Sequence, residues 1–90
     1  MYTYLFIFNS IFGNRDYAIS VIRQIPSIVR WRSDMPNVIY IKSNDRAQQL
    51  CEAVRGIRGI GKFLIVEITG NRQGYLSKET WNFIKSNLEE

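Results

Sequence analysis

The sequence contains no histidine. Histidine is the side chain most often used as a base near neutral pH, and it is the commonest ligand of transition metals in proteins. Its absence argues against a catalytic triad and a zinc site, and we predict no catalytic residue, no bound metal and no other cofactor. The single cysteine, Cys51, cannot form an internal disulfide, which agrees with a reducing compartment.

Long apolar runs are also missing. The longest one, Tyr4–Phe8, is far shorter than the roughly 20 residues that a membrane-spanning helix needs. The first residues lack the basic region and the small-residue cleavage site of a signal peptide. We therefore expect a cytoplasmic protein with no membrane partner.

The composition indicates a folded chain of one domain. It is 46% hydrophobic and 13% aromatic with only two prolines, which is typical of globular rather than disordered proteins. A domain of 90 residues is close to the size at which one core is only just sufficient, so we expect help from a partner subunit. The net charge of +4 favours an anionic partner such as a nucleotide or a nucleic acid.

The first half of the chain predicts a strand, a helix and a hairpin. Tyr2–Phe8 is aromatic, β-branched and too short for an ordinary helix, which indicates a strand. Asn14 is the predicted N-cap of a helix that ends before Pro26. The apolar face of this helix comprises Ala18, Val21, Ile22 and Ile25. Two extended segments should then pair around the turn Ser33–Pro36, namely Ile28–Arg32 and Asn37–Lys42.

The second half predicts a helix, a strand and a final helix. Asp45 is the predicted N-cap of the second helix, with Gln48 as its capping-box partner. The apolar stripe of that helix comprises Ala47, Leu50, Cys51 and Val54, and glycines end it. Phe63–Ile68 is the predicted last strand. Ser77 opens the final helix, with a hydrophobic staple made by Leu76 and Trp81.

The predicted order is β-α-β-β-α-β with an added C-terminal helix. We expect one α+β domain over residues 1–90 with the ferredoxin-like arrangement, in which an antiparallel sheet carries two helices on one face. Alternation predicts that one set of strand residues faces these helices, namely Leu5, Ile7, Ile39, Ile41, Leu64, Val66 and Ile68. The opposite face then receives Tyr4, Phe6, Phe8, Val38, Tyr40, Phe63 and Ile65.

That second face is too apolar for water, and two explanations are open. Two copies can join sheet to sheet as a homodimer, since contiguous apolar patches usually mark interfaces. The alternative is that the C-terminal helix folds back over the face with Trp81, Ile84 and Leu88. The two can also be combined.

Arginines supply the candidate binding site. Arg30 and Arg32 alternate around Trp31 on the hairpin, so their guanidinium groups share one face at a spacing close to that of neighbouring phosphates. Arg72, flanked by Asn71 and Gln73, lies in the loop between Gly70 and Gly74, just before a helix N-terminus where anions bind easily. We predict a phosphate site from these side chains, with aromatic rings that could stack on bases, Trp31 and Tyr75.

Each of these features also has a structural explanation. The arginines can simply solubilise edges and cap helices, as Arg55 and Arg58 would by position beside Lys62. Trp81 is expected to pack in the core rather than to stack on a base. Cys51 is expected to be a buried structural thiol.

Among the carboxylates, Glu67 stands out because it interrupts an apolar strand. We expect either an ion pair with an arginine of a neighbouring strand or of the dimer, or a functional contact. The other carboxylates before the tail suit helix N-termini or the hairpin turn, namely Asp16, Asp34, Asp45 and Glu79.

The hairpin from Trp31 to Ile41, and above all the stretch FLIVEITGNRQGYLSKETW from Phe63 to Trp81, resemble the small SinR-type proteins of bacteria and phages. These are similar to the VapD toxins and to the small non-catalytic subunit of the CRISPR spacer-integration complex. The resemblance implies a ferredoxin-like homodimer associated with nucleic acid or with defence against mobile elements.

The same resemblance draws attention to Asn9. In the metal-dependent relatives the first strand ends in an aspartate, and the two copies of that residue face each other across the dimer. A neutral amide cannot supply the anionic oxygens that Mg²⁺ prefers, which argues against a nuclease. We keep Asn9 as a candidate contact to a phosphate.

The sequence therefore predicts a non-enzymatic, homodimeric binding protein that captures a phosphate-bearing ligand, either nucleic acid or a small or cyclic nucleotide. A defence or counter-defence role is the expected context. One alternative is a metal-dependent nuclease or toxin-like ribonuclease. Another is a regulatory module whose apolar face binds a different protein.

Overall fold

A computed structural model describes residues 1–86 of the chain, so Leu88 lies outside the described residues. The α+β class and the order of the elements are as predicted. The elements are β1 (Tyr2–Phe8), α1 (Arg15–Ile22), β2 (Ile28–Met35), β3 (Val38–Ser43), α2 (Ala47–Ile57), β4 (Phe63–Glu67) and α3 (Lys78–Lys85). All strand pairs are antiparallel, and the four strands form one sheet in the order β2-β3-β1-β4.

Two of the three predicted helix caps are confirmed. The Asn14 side-chain oxygen accepts the Tyr17 N–H at 2.8 Å, and the Ser77 hydroxyl oxygen accepts the Thr80 N–H at 3.2 Å. Each cap satisfies a backbone donor that the first turn of a helix leaves without a partner. The starts of α1 and α3 are therefore fixed by local sequence.

The predicted cap at Asp45 is wrong by one residue. Arg46 occupies the cap position of α2, and its N–H donates to the Gln49 side chain at 2.8 Å. Asp45 is held outside the helix because its N–H donates to Ser43 Oγ and its carbonyl accepts the Tyr4 hydroxyl at 2.6 Å. A contact with a distant strand thus decides where the helix begins.

Two other predicted boundaries shift. α1 ends at Ile22, and the next residues form a tighter turn in which the Ile25 N–H donates to the Ile22 carbonyl. The hairpin is confirmed, but its turn is Pro36-Asn37 rather than Ser33–Pro36, because β2 continues to Met35. Two register irregularities in the β2–β3 pairing absorb the extra residues.

The predicted sheet faces are right for β3 and wrong for β1 and β4. Directly opposed residues share a face, and Phe6 lies opposite both Ile39 and Ile65. The aromatic set of β1 therefore faces α1 and α2, and the aliphatic set turns to the other side. Alternation identifies the two sets, but it does not say which set the helices cover when both are apolar.

The principal core lies between the sheet and the two helices α1 and α2. Its centre is a cluster of aromatic rings with centroids 5.5–5.9 Å apart, within the range of favourable edge and tilted contacts. The rings belong to Phe6, Phe8, Phe12, Tyr17 and Phe63. Val21 and Ile22 of α1 and Leu50 and Val54 of α2 are buried against the same core.

The helix α3 covers part of the opposite face. Phe83 and Ile84 are buried against Tyr40, and Trp81 packs on the same cluster with Leu5, Ile68 and Leu76. The predicted fold-back of the C-terminal helix is therefore present over the β3 side of the face. Three apolar side chains on the β1–β4 side stay exposed, namely Ile7, Leu64 and Val66, at 36%, 56% and 41%. We call these three residues the open strip.

One glycine fixes how two loops cross at the end of the sheet. Gly61 has a φ of +93°, and a Cβ added there would lie 2.5 Å from the Phe12 Cα. Only glycine fits both the backbone angle and the space. The loop after α2 is thereby pressed against the loop that precedes α1.

We predict that Gly61→Ala lowers the free energy of unfolding by about 1–3 kcal/mol, because the added carbon collides with backbone and strains φ. Urea unfolding measures the change. Gly59→Ala is the matched control, because its Cβ would meet nothing within 4 Å, and it should shift stability by less than about 0.5 kcal/mol. Equal effects of the two substitutions would contradict the close crossing.

Candidate anion-binding site

Arg30 and Arg32 both contact α3. Arg32 Nε donates to the Thr80 hydroxyl at 2.8 Å. Arg30 Nη1 lies 3.4 Å from Ser86 Oγ, and its guanidinium lies 5.1 Å from the centre of the Phe83 ring. The two arginines share a face, as predicted, but this is the face that α3 covers. Their role in phosphate binding stays a prediction, and they have a structural role beside it.

Thr80 is the centre of the contact between β2 and α3. Its hydroxyl is buried, accepts from Arg32 and from Ser77 Oγ at 3.0 Å, and donates to Asp34 Oδ2 at 2.5 Å. One donor and two acceptor lone pairs are all that a hydroxyl offers, so the Thr80 side chain is fully satisfied. The carboxylate and the guanidinium also balance each other's charge at the helix start.

Lys42 ties the other end of α3 to the sheet. Its side chain is fully buried, and its Nζ donates to the Thr3 hydroxyl at 2.8 Å and to the Ile84 carbonyl at 2.9 Å. Burying an ammonium is costly unless it is well hydrogen-bonded, and a carbonyl in the last turn of a helix is a favourable partner for a cation. Sequence reasoning missed this role. The signal in the sequence was that Lys42 follows Tyr40 by two residues, which places both side chains on the same face of the strand.

Tyr40 lies under the same contact. Its hydroxyl is buried beside Asp34, and among the described residues it has no hydrogen-bond partner of good geometry. Burial, followed by the negative charge of Asp34, raises the pKa of Tyr40 to about 12. The ordinary value of 10.0 applies to the unfolded chain. The unfolded state therefore loses its proton first, so the stability that depends on neutral Tyr40 is present below pH 10 and is lost as the pH rises toward 12.

We predict that Tyr40→Phe flattens the loss of stability between about pH 10 and 12, because the group that ionises in the unfolded state is removed. At pH 7 the same change should cost less than about 1 kcal/mol, since the hydroxyl lacks a well-formed hydrogen bond. Urea unfolding as a function of pH measures both effects. Tyr75→Phe is the control, because Tyr75 is fully exposed. Parallel curves for Tyr40→Phe and the parent would refute the assignment.

Part of the Gly70–Gly74 loop lines a groove beside α3, namely Arg72, Gln73 and Gly74. Arg72 Nη1 donates to the Thr69 carbonyl at 3.0 Å, and the Gln73 side chain accepts the Gly74 N–H at 3.2 Å. Asn71 is exposed. Neither glycine of the loop has a positive φ.

The two predicted stacking residues are exposed, and Trp31 lies on the other side of the sheet from Arg30 and Arg32. Trp31 lies opposite Ile41, on the sheet face away from α3, and 38% of its surface is exposed. Tyr75 projects fully into solvent. Trp81 packs in the core, as expected.

Asn9 has a structural role at the end of β1. Its side-chain oxygen accepts the Phe12 N–H at 3.0 Å and the Lys62 N–H at 3.3 Å. The amide thus joins the loop before α1 to the loop before β4. Its contact to a phosphate stays a prediction.

A cationic groove lies between the end of α2 and the start of β4. It has a volume of about 390 Å³ and is lined by Cys51, Arg55, Arg58, Gly59, Gly61, Lys62 and Phe63. No carboxylate lines it within the described part of the chain. We call it the α2–β4 groove. The signal in the sequence was three cations within eight residues, interleaved with glycines.

Arg58 is the fixed wall of this groove. Its Nη2 donates to the Ile11 carbonyl at 2.7 Å, and its guanidinium lies 5.3 Å from the centre of the Tyr17 ring. Its buried Nε has no hydrogen-bond partner within residues 1–86. Arg55 and Lys62 are exposed on either side. Cys51 is only half-buried, so the prediction of a buried thiol is wrong.

The acidic side chains of the described residues do not form a metal-binding cluster. Across residues 1–86, no three His, Cys, Asp or Glu side chains come together in a way that could hold a metal ion. Glu67 lies on β4, where it is exposed and faces Tyr4 of β1. It forms no ion pair with another described residue. Burial, and then the charge of Glu67, raises the pKa of Tyr4. The predicted ion pair with an arginine of a neighbouring strand is therefore absent among residues 1–86.

No protein-family model, curated protein or solved structure matches the chain. The resemblance to the SinR-type proteins therefore stays a prediction. Among residues 1–86, no helix combines the length and the apolar character needed to cross a membrane.

Proposed function

We propose that this chain is a non-enzymatic binding protein that captures a phosphate-bearing ligand, either nucleic acid or a small nucleotide, in the α2–β4 groove. The observation that carries the proposal is the meeting of Arg55, Arg58 and Lys62 around one concave surface that no carboxylate of residues 1–86 lines. A net charge of +4 on 90 residues adds a long-range attraction for the same ligands.

The chemistry of the groove suits phosphate. Guanidinium groups bind phosphate oxygens with paired N–H donors, and an ammonium adds a compact positive charge. Arg58 is already held by a backbone carbonyl and an aromatic ring, so little side-chain entropy is lost there on binding. A volume of about 390 Å³ is at the small end of ligand pockets, which suits one nucleotide or a short part of a strand.

The α2–β4 groove is a better site than the hairpin arginines. Arg32 is committed to Thr80 and Arg30 approaches Ser86 and Phe83, so a phosphate would have to compete with the attachment of α3. Arg55 and Lys62 face no such competition, because both are exposed at the groove.

We expect Arg55→Ala and Lys62→Ala to weaken binding of a fluorescein-labelled single-stranded oligonucleotide about three- to tenfold at about 50 mM salt. Each should also reduce the slope of log affinity against log salt by about 0.7, the contribution of one phosphate contact on a single strand. Fluorescence anisotropy measures both quantities, and ATP as a competitor tests for a nucleotide ligand.

Arg23→Ala is the matched control, because it removes the same charge from an exposed arginine at the C-terminus of α1. Equal losses in all three variants would indicate diffuse attraction and reject the groove. Absence of binding to both probes at low salt would reject the function. Cleavage of the oligonucleotide that requires added Mg²⁺ would favour the nuclease alternative.

We also propose that two copies join as a homodimer through the open strip. Ile7 and Leu64 are direct cross-strand neighbours, and together with Val66 they form an apolar surface that α3 leaves uncovered. Exposed apolar side chains that adjoin each other favour an interface. A twofold dimer would present the α2–β4 groove twice, which would raise avidity for a long anionic strand.

We expect Leu64→Glu to convert the dimer into a monomer, since two symmetry-related carboxylates would be buried in the interface. Light scattering coupled to size exclusion measures the mass. Val29→Glu is the control, because Val29 is 51% exposed on the edge strand β2. A parent protein that is already monomeric at micromolar concentration would refute the dimer and leave the α2–β4 groove untouched.

The ferredoxin-like assignment belongs to the same proposal. Its support is the sheet order β2-β3-β1-β4, in which each β-α-β crossover skips one strand, as in the split βαβ arrangement. The packing of α1 and α2 against one face of the sheet agrees with this assignment.

A further inference from the structure

A second concave surface lies on the far side of the sheet from α1 and α2. It is a groove of about 220 Å³ between α3, the sheet and the Gly70–Gly74 loop. Its wall is apolar and aromatic, and the residues that matter here are Leu5, Val38, Tyr40, Ile68, Trp81 and Ile84. We call it the α3 groove. It is separate from the α2–β4 groove and shares no lining residue with it.

The polar groups of the α3 groove are concentrated on one side. Arg72 and Gln73 line it from the loop. Arg72 is half-buried and donates one Nη1 bond to the Thr69 carbonyl. A guanidinium carries five N–H donors, and the hydrogen bond to Thr69 uses one of them. The α3 groove therefore combines an apolar surface with one positively charged side chain, Arg72, on one side.

We propose that the α3 groove binds a small organic anion that has a flat apolar body of one or two rings and a single carboxylate or phosphate. The apolar body would lie against Trp81 and Tyr40, and the acid group would receive N–H donors from Arg72. This goes beyond capture of a nucleotide or nucleic acid, and it concerns a different surface.

Size and polarity select this class of ligand. The groove is smaller than the roughly 300 Å³ at which pockets for drug-sized ligands begin, so it suits a fragment. A nucleobase would leave several ring nitrogens and amino groups without partners along an apolar wall, which is costly. A neutral apolar ring would leave the Arg72 guanidinium without an anionic partner. An acid with one apolar end satisfies both parts of the surface.

The loop offers a matched pair of blocking variants. A Cβ added at Gly74 would lie 3.9 Å from Trp81 Cζ2, which is ordinary contact, whereas a Cβ added at Gly70 would meet nothing within 4 Å. Neither glycine has a positive φ. A larger side chain at position 74 would therefore fill the space beside Trp81. The Cβ of the same side chain at position 70 would have no neighbour within 4 Å.

Trp81 can report binding directly. The chain has two tryptophans, and Trp31 lies on the opposite face of the sheet, so Trp31→Phe leaves Trp81 as the sole indole. The probes are 3-phenylpropanoate and 3-phenylpropylamine, which have the same ring and opposite charges. Titration of each into the full chain carrying Trp31→Phe is followed by indole emission.

We expect a saturable change with 3-phenylpropanoate and at least about tenfold weaker binding of the amine. Arg72→Ala should abolish that preference. Gly74→Leu should eliminate the response to both probes, and Gly70→Leu should preserve it. Circular dichroism checks that each variant is folded.

Three results would overturn the proposal. The first is no saturable change up to about 5 mM, which excludes useful affinity for this class. The second is equal affinity for acid and amine. The third is binding only after Leu64→Glu, which would mean that a second copy fills the α3 groove. None of these results bears on oligonucleotide binding in the α2–β4 groove, so the two proposals fail separately.

Discussion

Both faces of the sheet are apolar, so each face must be covered by other parts of the structure. The rest of this small structure depends on how the second face is covered. The helices α1 and α2 bury the aromatic face. The opposite face receives α3, whose eight residues cover the β3 side and leave the open strip exposed. Adjoining exposed apolar side chains favour an interface, so the half of this face that α3 leaves uncovered is the half at which we propose the dimer contact.

The second cover is directed by polar contacts rather than by apolar area alone. Lys42 donates to the Ile84 carbonyl near the end of α3. Near its start, the Thr80 hydroxyl accepts from Arg32 and donates to Asp34. A helix held only by the apolar side chains of Phe83, Ile84 and Trp81 could shift along a uniformly apolar sheet. Hydrogen bonds to buried partners hold it in one position. Arg32 is half-buried in these contacts, whereas Arg30 stays exposed. Arg55 and Lys62 remain exposed at the α2–β4 groove.

Local chemistry made part of this arrangement predictable. Asn14 and Ser77 are helix caps whose partners lie three residues away, so short-range sequence was enough. The sheet faces were not predictable in the same way, because Phe6 shares a face with Ile39 and Ile65 through pairing across the sheet. Alternation cannot choose between two apolar faces. The start of α2 was displaced by the Tyr4 hydroxyl, which lies 41 positions away from its partner.

The two grooves follow from the same division between local and distant contacts. Arg55, Arg58 and Lys62 are close in sequence, but they enclose a concave surface only because Gly61 lies against Phe12 and Asn9 joins the two loops. Arg72 is separated from Tyr40 by a strand and a helix, and it meets the apolar wall only because α3 folds back. A positive net charge favours an anionic ligand, whereas the crossing of the loops and the return of α3 determine where the two candidate grooves lie. The two proposals follow this division: an anion with phosphates alone for the open cationic surface, and an anion with an apolar body for the surface that the returning helix encloses.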